Sequence, residues 1–218
     1  MRQIVLILLS VLSVGIVSAQ SETTDSMSID AAFNACIAMR DAVANNDSVA
    51  IKQSAIDLKA AGTTNFSSLR CKDDSIASLN GHLVFDEIFA DSLAEGKDVY
   101  RKADDMNSSK AHRGQTADGS ILTKTCFVKA GKSTKYSFAS KGHQELAVVA
   151  EAGGLVTMKV HVTNTAGLDK RFDDTKNVKK GMPQRKTTFE LPTDRRNTVE
   201  LEVINCGTKD CSFVVISN

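Results

Sequence analysis

The stretch Val-Thr-Met-Lys-Val-His-Val, residues 156–162, decides the fold, because apolar and polar side chains alternate along it. Alternation with a period of two is typical of a β-strand with one buried face. The same pattern recurs in four other segments: Thr134–Phe138, Leu146–Ala150, Phe189–Leu191 and Val199–Val203. Glycine-containing turn signals separate several of them. With further segments near 121–128 and 212–217, the sequence predicts seven or eight strands in an antiparallel β-sandwich.

The first half has a helical period instead. Apolar residues recur at steps of three and four from Ile29 to Val43, and Ser28 is placed to cap this helix. Ser48 can cap a second short helix that ends at Gly62, so the two predict an antiparallel αα-hairpin. Residues 63–78 have a loop-like pattern, and weaker periodicity predicts further helices between residues 83 and 106. The predicted fold class is therefore α+β.

The N-terminus has the pattern of a cleaved export signal. Arg2 precedes an almost continuously apolar run over residues 4–17, and Val17-Ser18-Ala19 has the small residues of a cleavage site. We therefore expect a signal peptide over residues 1–19, a flexible leader over 20–28, a helical region over 29–110 and a β-sandwich domain over 111–218. The product is expected in the periplasm or outside the cell, without stable membrane insertion.

Charge is distributed unevenly along the chain. Residues 20–110 contain 15 acidic and 9 basic side chains, whereas residues 111–218 contain 11 acidic and 17 basic ones. Nine basic residues accumulate in one stretch that is expected to be loop-like: Lys170, Arg171, Lys176, Lys179, Lys180, Arg185, Lys186, Arg195 and Arg196. If these loops converge, they would attract a polyanion such as an envelope phosphate group or an acidic polysaccharide. Nucleic acid is not an expected partner for an exported protein.

Three parts of the second half resemble the bacterial pre-peptidase C-terminal domains, a family of secreted jelly-roll modules. They are Lys135-Tyr136-Ser137-Phe138, the segment from Lys141-Gly142-His143 to Gly154, and the predicted hairpin from Val199 to Ile216. The resemblance implies that the β-sandwich is jelly-roll-like and that it is an accessory or targeting module without catalysis. A D-x-D-L type segment is common in that family, but this chain has Met158-Lys159-Val160-His161, which removes the basis for a metal role.

The five cysteines, Cys36, Cys71, Cys126, Cys206 and Cys211, would be able to form disulfides in an exported protein. Cys206 and Cys211 bracket four residues between two predicted strands. A hairpin there would oppose the two cysteines at a separation that a disulfide accepts. Cys36 and Cys71 could form a second bridge, with Cys126 as a buried thiol, but this pairing depends only on nearness in sequence.

No catalytic or cofactor motif occurs in the chain, so we predict no cofactor, no catalytic residue and no metal ligand set. The acidic pairs are expected to be solvated, and the histidines lack the spacing of a zinc site. Without Trp, a flat sugar-binding platform is disfavoured, and Tyr136 is expected to pack inward. Phe172, in a polar stretch, could be a lone exposed aromatic.

Four serines, Ser26, Ser48, Ser75 and Ser92, each follow Asp and precede an apolar residue. This pattern resembles the acceptor sequence for periplasmic protein O-glycosylation, although Asp-Ser before an apolar run also caps helices. Taken together, the sequence predicts an exported, non-enzymatic binding protein that uses its sandwich loops to contact an envelope component or a protein. The alternative is a secreted hydrolase with a site between the halves that includes His82, His112 or His143. The sequence does not indicate an oligomeric state.

Overall fold

Two helices precede ten strands in the computed structural model, which describes residues 28–71, 120–173 and 180–218. The helices are α1 (Asp30–Ala44) and α2 (Ser48–Ala60). The strands are β1 (Thr63–Asn65), β2 (Arg70–Cys71), β3 (Ile121–Val128), β4 (Ser133–Ser140), β5 (His143–Ala150), β6 (Val156–Thr163), β7 (Asp169–Asp173), β8 (Gln184–Glu190), β9 (Asn197–Asn205) and β10 (Cys211–Ser217). The predicted signal peptide, nearly all of the predicted leader and the helices predicted between residues 83 and 106 lie outside the described residues.

The strands form two sheets packed face to face. The first sheet has the order β1-β3-β10-β5-β8 and the second has the order β2-β4-β9-β6-β7. Among the pairs of named strands, β1 and β3 are parallel and the others are antiparallel. The eight longer strands are arranged as a jelly roll, in which the chain repeatedly crosses between sheets. The predicted α+β class, with helices before a jelly-roll-like sandwich, is confirmed.

Alternation builds the core between the sheets as predicted. Val156, Met158 and Val160 of β6 are buried in this core, while Lys159 and His161 between and beyond them face outward. Tyr136 is also buried in the core, as the sequence predicts, and its ring packs edge-on against Phe213, with centroids 6.1 Å apart. Burial raises the pKa of the Tyr136 hydroxyl, because the phenolate would lose its hydration.

The outer face of the first sheet is covered by the helical hairpin. Ile29 just before α1, Cys36 and Met39 of α1 and Leu58 of α2 pack with Ile216 and its neighbours in a second apolar cluster. All seven residues of β10 are therefore buried, alternately between the sheets and under the helices. This sheet is enclosed on both faces, which explains why its strands are rich in consecutive apolar residues.

Polar contacts fix the ends of α1 on the first sheet. The backbone N–H of Ile29 donates to Glu145 Oε2 at 2.8 Å, and Lys186 Nζ lies 2.6 Å from Asp30 Oδ1 and 3.3 Å from Glu145 Oε1. Further along, Arg40 Nη1 donates to Gln184 Oε1 at 2.7 Å. Side chains far apart in sequence thus join α1 and its first residues to β5 and β8.

The capping predictions are partly wrong. Asp47, rather than Ser48, caps α2, because its carboxylate accepts from the N–H groups of Val49 and Ala50. Ser28 does accept from the N–H of Asp30 at 3.2 Å, but the capping residue of α1 is Ile29.

Residues 63–71 were expected to be loop-like but cross one edge of the sandwich. β1 extends the first sheet beside β3, Phe66 and Leu69 enter the core, and β2 extends the second sheet beside β4. Phe66 packs edge-on against Phe138 with ring centroids 4.9 Å apart. The predicted helical region therefore contributes strands to the sandwich.

The prediction of a hairpin between residues 199 and 216 is wrong. β9 pairs with β4 and β6 in the second sheet, while β10 pairs with β3 and β5 in the first. The loop between them is a corner that crosses the sandwich. A loop of this length fits either connection, so loop length alone did not distinguish them.

Candidate binding groove on the second sheet

The outer face of the second sheet presents charged side chains in rows. Each strand directs its apolar residues into the core, so its polar residues point outward at the same register. One row across four strands is Lys135, Glu202, Lys159 and Asp173, in which basic and acidic side chains alternate. The next row is Ser137, Glu200, His161 and Arg171.

These rows form a groove of about 360 Å³. The lining residues are Lys135, Lys159, Val160, His161, Arg171, Phe172, Asp173, Glu200, Leu201 and Glu202. Seven of the ten carry an ionisable side chain, so the groove can both donate and accept hydrogen bonds. Such a surface suits a polar ligand that carries groups of both kinds.

Contacts between neighbouring strands orient several of these side chains. Asp169 Oδ1 lies 3.1 Å from both His161 Nε2 and Arg171 Nε, so one carboxylate orients two groove side chains at the β6–β7 edge. The hydrogen bond from Arg171 lowers the pKa of Asp169 below its ordinary value. His161 Nδ1 also lies 3.8 Å from Glu200 Oε2. The charged groups are exposed, so these pairs contribute orientation more than stability.

The groove does not offer an aromatic platform or a metal centre. Phe172, the candidate for a lone exposed aromatic, lies on β7, where it lines the groove and packs partly against the core. Among residues 28–71, 120–173 and 180–218, no cluster of three or more His, Cys, Asp or Glu side chains could hold a metal ion. The chemistry available in the groove is hydrogen bonding and ion pairing.

The predicted polyanion-binding residues lie in several places. Lys176 and Lys179 are outside the described residues, and the stretch expected to be loop-like contains β7 and β8. Arg171 lines the groove, Lys186 faces α1 on the first sheet, and Arg195 pairs with Asp194 at 2.6 Å in the loop before β9. The remaining members have the following positions: Lys170 donates to Glu190 O, Arg185 lies beside Met182 Sδ, and Lys180 and Arg196 are exposed. Polyanion binding by this set stays a prediction.

No disulfide joins the five cysteines, all of which lie in the described residues. Cys206 Sγ lies 3.8 Å from Thr157 Oγ1, on the outward-facing side of β6, whereas Cys211 is buried in the core between the sheets. Cys36 lies under the helices and Cys71 lies on the second sheet, so the first sheet separates them. The hairpin argument for the Cys206–Cys211 pair is therefore wrong, and nearness in sequence did not bring Cys36 beside Cys71.

Of the predicted glycosylation serines, Ser48 is exposed at the start of α2, where the modification would be accessible. Ser26, Ser75 and Ser92 lie outside the described residues. Glycosylation stays a prediction at all four.

The histidines named for the hydrolase alternative give no shared site in the described residues. His143 Nδ1 lies 2.5 Å from Glu190 Oε1 at the β5–β8 edge, and His82 and His112 lie outside the described residues. Where α1 and α2 meet the first sheet, apolar side chains fill the interface.

Sequence reasoning missed the groove residues, although their signal was present. Lys159, His161, Glu200 and Glu202 are the polar members of the alternating segments that predicted the strands. Alternation placed them outward but did not show that β9 lies between β4 and β6. Strand order is what brings these residues together.

No protein-family model matches this chain, and comparison with characterised proteins finds no sequence relative. Within the described residues, no helix combines the length and apolar character that a membrane crossing requires.

Solved structures share parts of the fold. The Yersinia pseudotuberculosis-derived mitogen is 12% identical, with 45% of this chain and 84% of the mitogen covered and a TM-score of 0.31. TmCBM61 in complex with beta-1,4-galactotriose is 13% identical, covering 71% and 90% of the two chains at a TM-score of 0.32. A mutant of PliG, a periplasmic lysozyme inhibitor of g-type lysozyme from Escherichia coli, is 17% identical, covering 48% and 93% at 0.29. These likenesses concern the fold alone and carry no argument about the groove.

Proposed function

We propose that this protein is an exported, non-enzymatic binding protein of the bacterial envelope or exterior, and that it holds its partner in the groove of the second sheet. The observation that carries the proposal is the pair of charged rows lining a concave face of about 360 Å³. A partner with complementary acidic and basic groups would be held by several charge-assisted hydrogen bonds at once. The contact surface is then the sheet face, in place of the loops expected from sequence.

The two sheets differ in a way that supports this choice of face. The helices α1 and α2 cover the outer face of the first sheet, so the apolar side chains on that face are already buried. The second sheet instead directs Lys159, Glu200 and Glu202 outward, and their side chains are between 24% and 40% exposed. Partly exposed charges on a rigid sheet are pre-organised for recognition, because little side-chain freedom is lost on binding.

The experiment uses a photo-crosslinking amino acid at Ser137, which lies in the groove row between Arg70 and Glu200. In the native cell we expect this position to capture a defined partner. The double reversal Lys159→Glu and Arg171→Glu should abolish capture, because it places negative charges in the groove that repel the acidic groups of the partner. The same amino acid at Lys52, exposed on α2, is the matched control and should not capture it.

Capture that is unchanged by the charge reversal, or equal from Ser137 and Lys52, would contradict the groove as the binding surface. A mature chain that remains in the cytoplasm would contradict export. A hydrolase would instead need a nucleophile and a base at one cavity, and the described residues offer no observation that favours it.

A further inference from the structure

Two cysteines from different sheets approach the same tyrosine. Cys71 of β2 is the register partner of Tyr136 on β4, and its thiol lies 3.7 Å from Thr134 Oγ1. Cys126 of β3 is buried in the same core cluster as Tyr136, and its thiol is in hydrogen-bond contact with the Tyr136 hydroxyl. The two thiols therefore lie near the neighbouring hydroxyl groups of Thr134 and Tyr136.

The course of the chain explains this approach. Residues 63–71 cross from the first sheet to the second along the edge that β3 and β4 flank. Lys124, two residues before Cys126 on the same face of β3, donates from Nζ to Leu69 O at 2.9 Å. The segment carrying Cys71 is thus fastened to the strand carrying Cys126.

The other cysteines are poorly placed to react with Cys71. Cys36 lies beyond the first sheet, Cys206 contacts Thr157, and Cys211 is buried beside Ala150 and Gly154. Burial raises the pKa of the Cys211 thiol to about 12, so it stays protonated at neutral pH. Cys71, in contrast, is exposed at the end of a two-residue edge strand, where its side chain can turn without breaking a long ladder.

We propose that Cys71 and Cys126 form a disulfide that closes this edge of the sandwich. The oxidant is a disulfide-donating protein or small molecule. The exposed Cys71 thiolate attacks the donor disulfide, forming a mixed disulfide and releasing one donor thiol. Cys126 then attacks the Cys71 sulfur and displaces the second donor thiol. In total two thiols lose two protons and two electrons, and the donor disulfide becomes a dithiol. The proposed export determines only whether such a donor is present in the cell. The pairing of Cys71 with Cys126 does not depend on export.

The bond would join the two ends of the segment that runs from residue 72 to residue 125. Linking residues so far apart in sequence restricts the unfolded chain strongly. We expect the midpoint of thermal unfolding to rise by about 5–10 °C on oxidation, because a long closed loop gives a large entropic effect in a protein of this size.

The test uses the purified full chain, first fully reduced and then equilibrated with oxidised and reduced glutathione. Remaining thiols are blocked with N-ethylmaleimide, and peptides are mapped without reduction. We expect a linked Cys71–Cys126 peptide, two fewer labelled thiols than in the reduced chain, and the rise in unfolding midpoint. Cys71→Ser should lose the linked peptide and the rise, whereas Cys36→Ser, at a cysteine beyond the first sheet, should retain both.

Recovery of Cys71 only as a glutathione adduct, or linked to another cysteine, would overturn the proposal. So would an oxidation-dependent rise that persists in Cys71→Ser. Because Cys71 is exposed, that variant is expected to fold even where Cys126→Ser does not. Partner capture from Ser137 is measured separately in the native cell, and its loss would count against the groove without bearing on the peptide map.

Discussion

Glu145 on β5 accepts a hydrogen bond from the backbone N–H of Ile29, across 116 residues of sequence, at 2.8 Å. The donor is one of the N–H groups that every helix leaves without an internal partner at its first turn. A strand carboxylate thus caps the helix that covers its own sheet, and Lys186 holds the same carboxylate at 3.3 Å. The capping contact therefore joins the helical hairpin to the sandwich.

Replacing Glu145 by Ala should destabilise the protein by roughly 1–3 kcal/mol, because a helix cap and a buried charge partner of Lys186 are lost together. The free energy of unfolding from urea titration measures this. Glu202→Ala, whose carboxylate lies 3.9 Å from Lys159 on the groove face, is the control and should cost about 0.5 kcal/mol or less. Equal losses for the two variants would contradict the capping role.

Acid should weaken the contact between Asp30 and Lys186. The hydrogen bond from Lys186 lowers the pKa of Asp30 below its ordinary value of 3.8. A carboxylate with a depressed pKa stabilises the folded state fully above the unfolded pKa, and this contribution is lost as pH falls through the folded value. The native chain should therefore exceed Asp30→Asn in urea midpoint at pH 6, and the difference should shrink near pH 3.

The matched control for that measurement is Asp57→Asn on α2, where the exposed carboxylate accepts from Gln53 Nε2 at 2.8 Å. Exposed side chains contribute little to stability, so its urea midpoint at pH 6 should lie closer to that of the native chain than the midpoint of Asp30→Asn does. A difference for Asp30→Asn that is constant with pH would show that the ion pair does not stabilise the fold.

Gly154 precedes β6 at a position without room for a side chain. A Cβ there would overlap Cys211 Sγ, and it would lie 2.9 Å from Ala150 Cβ and 3.0 Å from Glu151 O. Gly154→Ala should therefore destabilise by about 1–3 kcal/mol through overpacking. Combining it with Cys211→Ala removes one clash, so the double variant should lose less stability than the two single losses added together. Additive losses in thermal unfolding would show that Cys211 is not the obstacle.

Asn197 is fully buried at the start of β9 and satisfies three carbonyl groups. Its Nδ2 donates to Ser140 O, Pro192 O and Arg195 O at 3.1–3.3 Å, and its Oδ1 accepts from Asn164 Nδ2. Asn197→Asp should cost about 2–4 kcal/mol at neutral pH, because it removes both donors and places a carboxylate among carbonyl oxygens.

Asn164→Asp is the comparison for the Asn197 prediction. Its Oδ1 accepts from the N–H groups of Ala166 and Leu168, and a carboxylate can still accept both, so the variant loses only the donation from Nδ2 to Asn197 Oδ1. We expect it to cost less than half as much in urea titration. If Asn164→Asp is as damaging as Asn197→Asp, the three carbonyl contacts are not what makes Asn197 important.

Local pattern predicted the strands but not their neighbours. The segment Leu146–Ala150 of β5 is apolar throughout, because both of its faces are covered. Alternation located β4, β6, β8 and β9, because one face of each segment enters a core. It missed β7, in which Phe172 is the sole apolar residue. It also missed β1 and β2, which are too short to show a period.

Part of the sequence signal spoke against the hairpin prediction, which was wrong. A jelly roll places β9 and β10 in opposite sheets, so the fold expected from resemblance was itself at odds with a hairpin there. The buried run over Cys211–Ser217 also indicates a strand covered on both faces, unlike the alternating Val199–Val203. The groove could not be predicted, because it depends on which strands become neighbours.

The double burial of β10 also matters before folding is complete. Until α1 and α2 dock, Val149, Val214 and Ile216 form a flat apolar face on the first sheet. Such a face invites association between chains, because neighbouring molecules can cover it as well as the helices can. Docking of the helical hairpin therefore competes with contact between molecules. The rate of docking should determine the fraction of molecules that fold without aggregating.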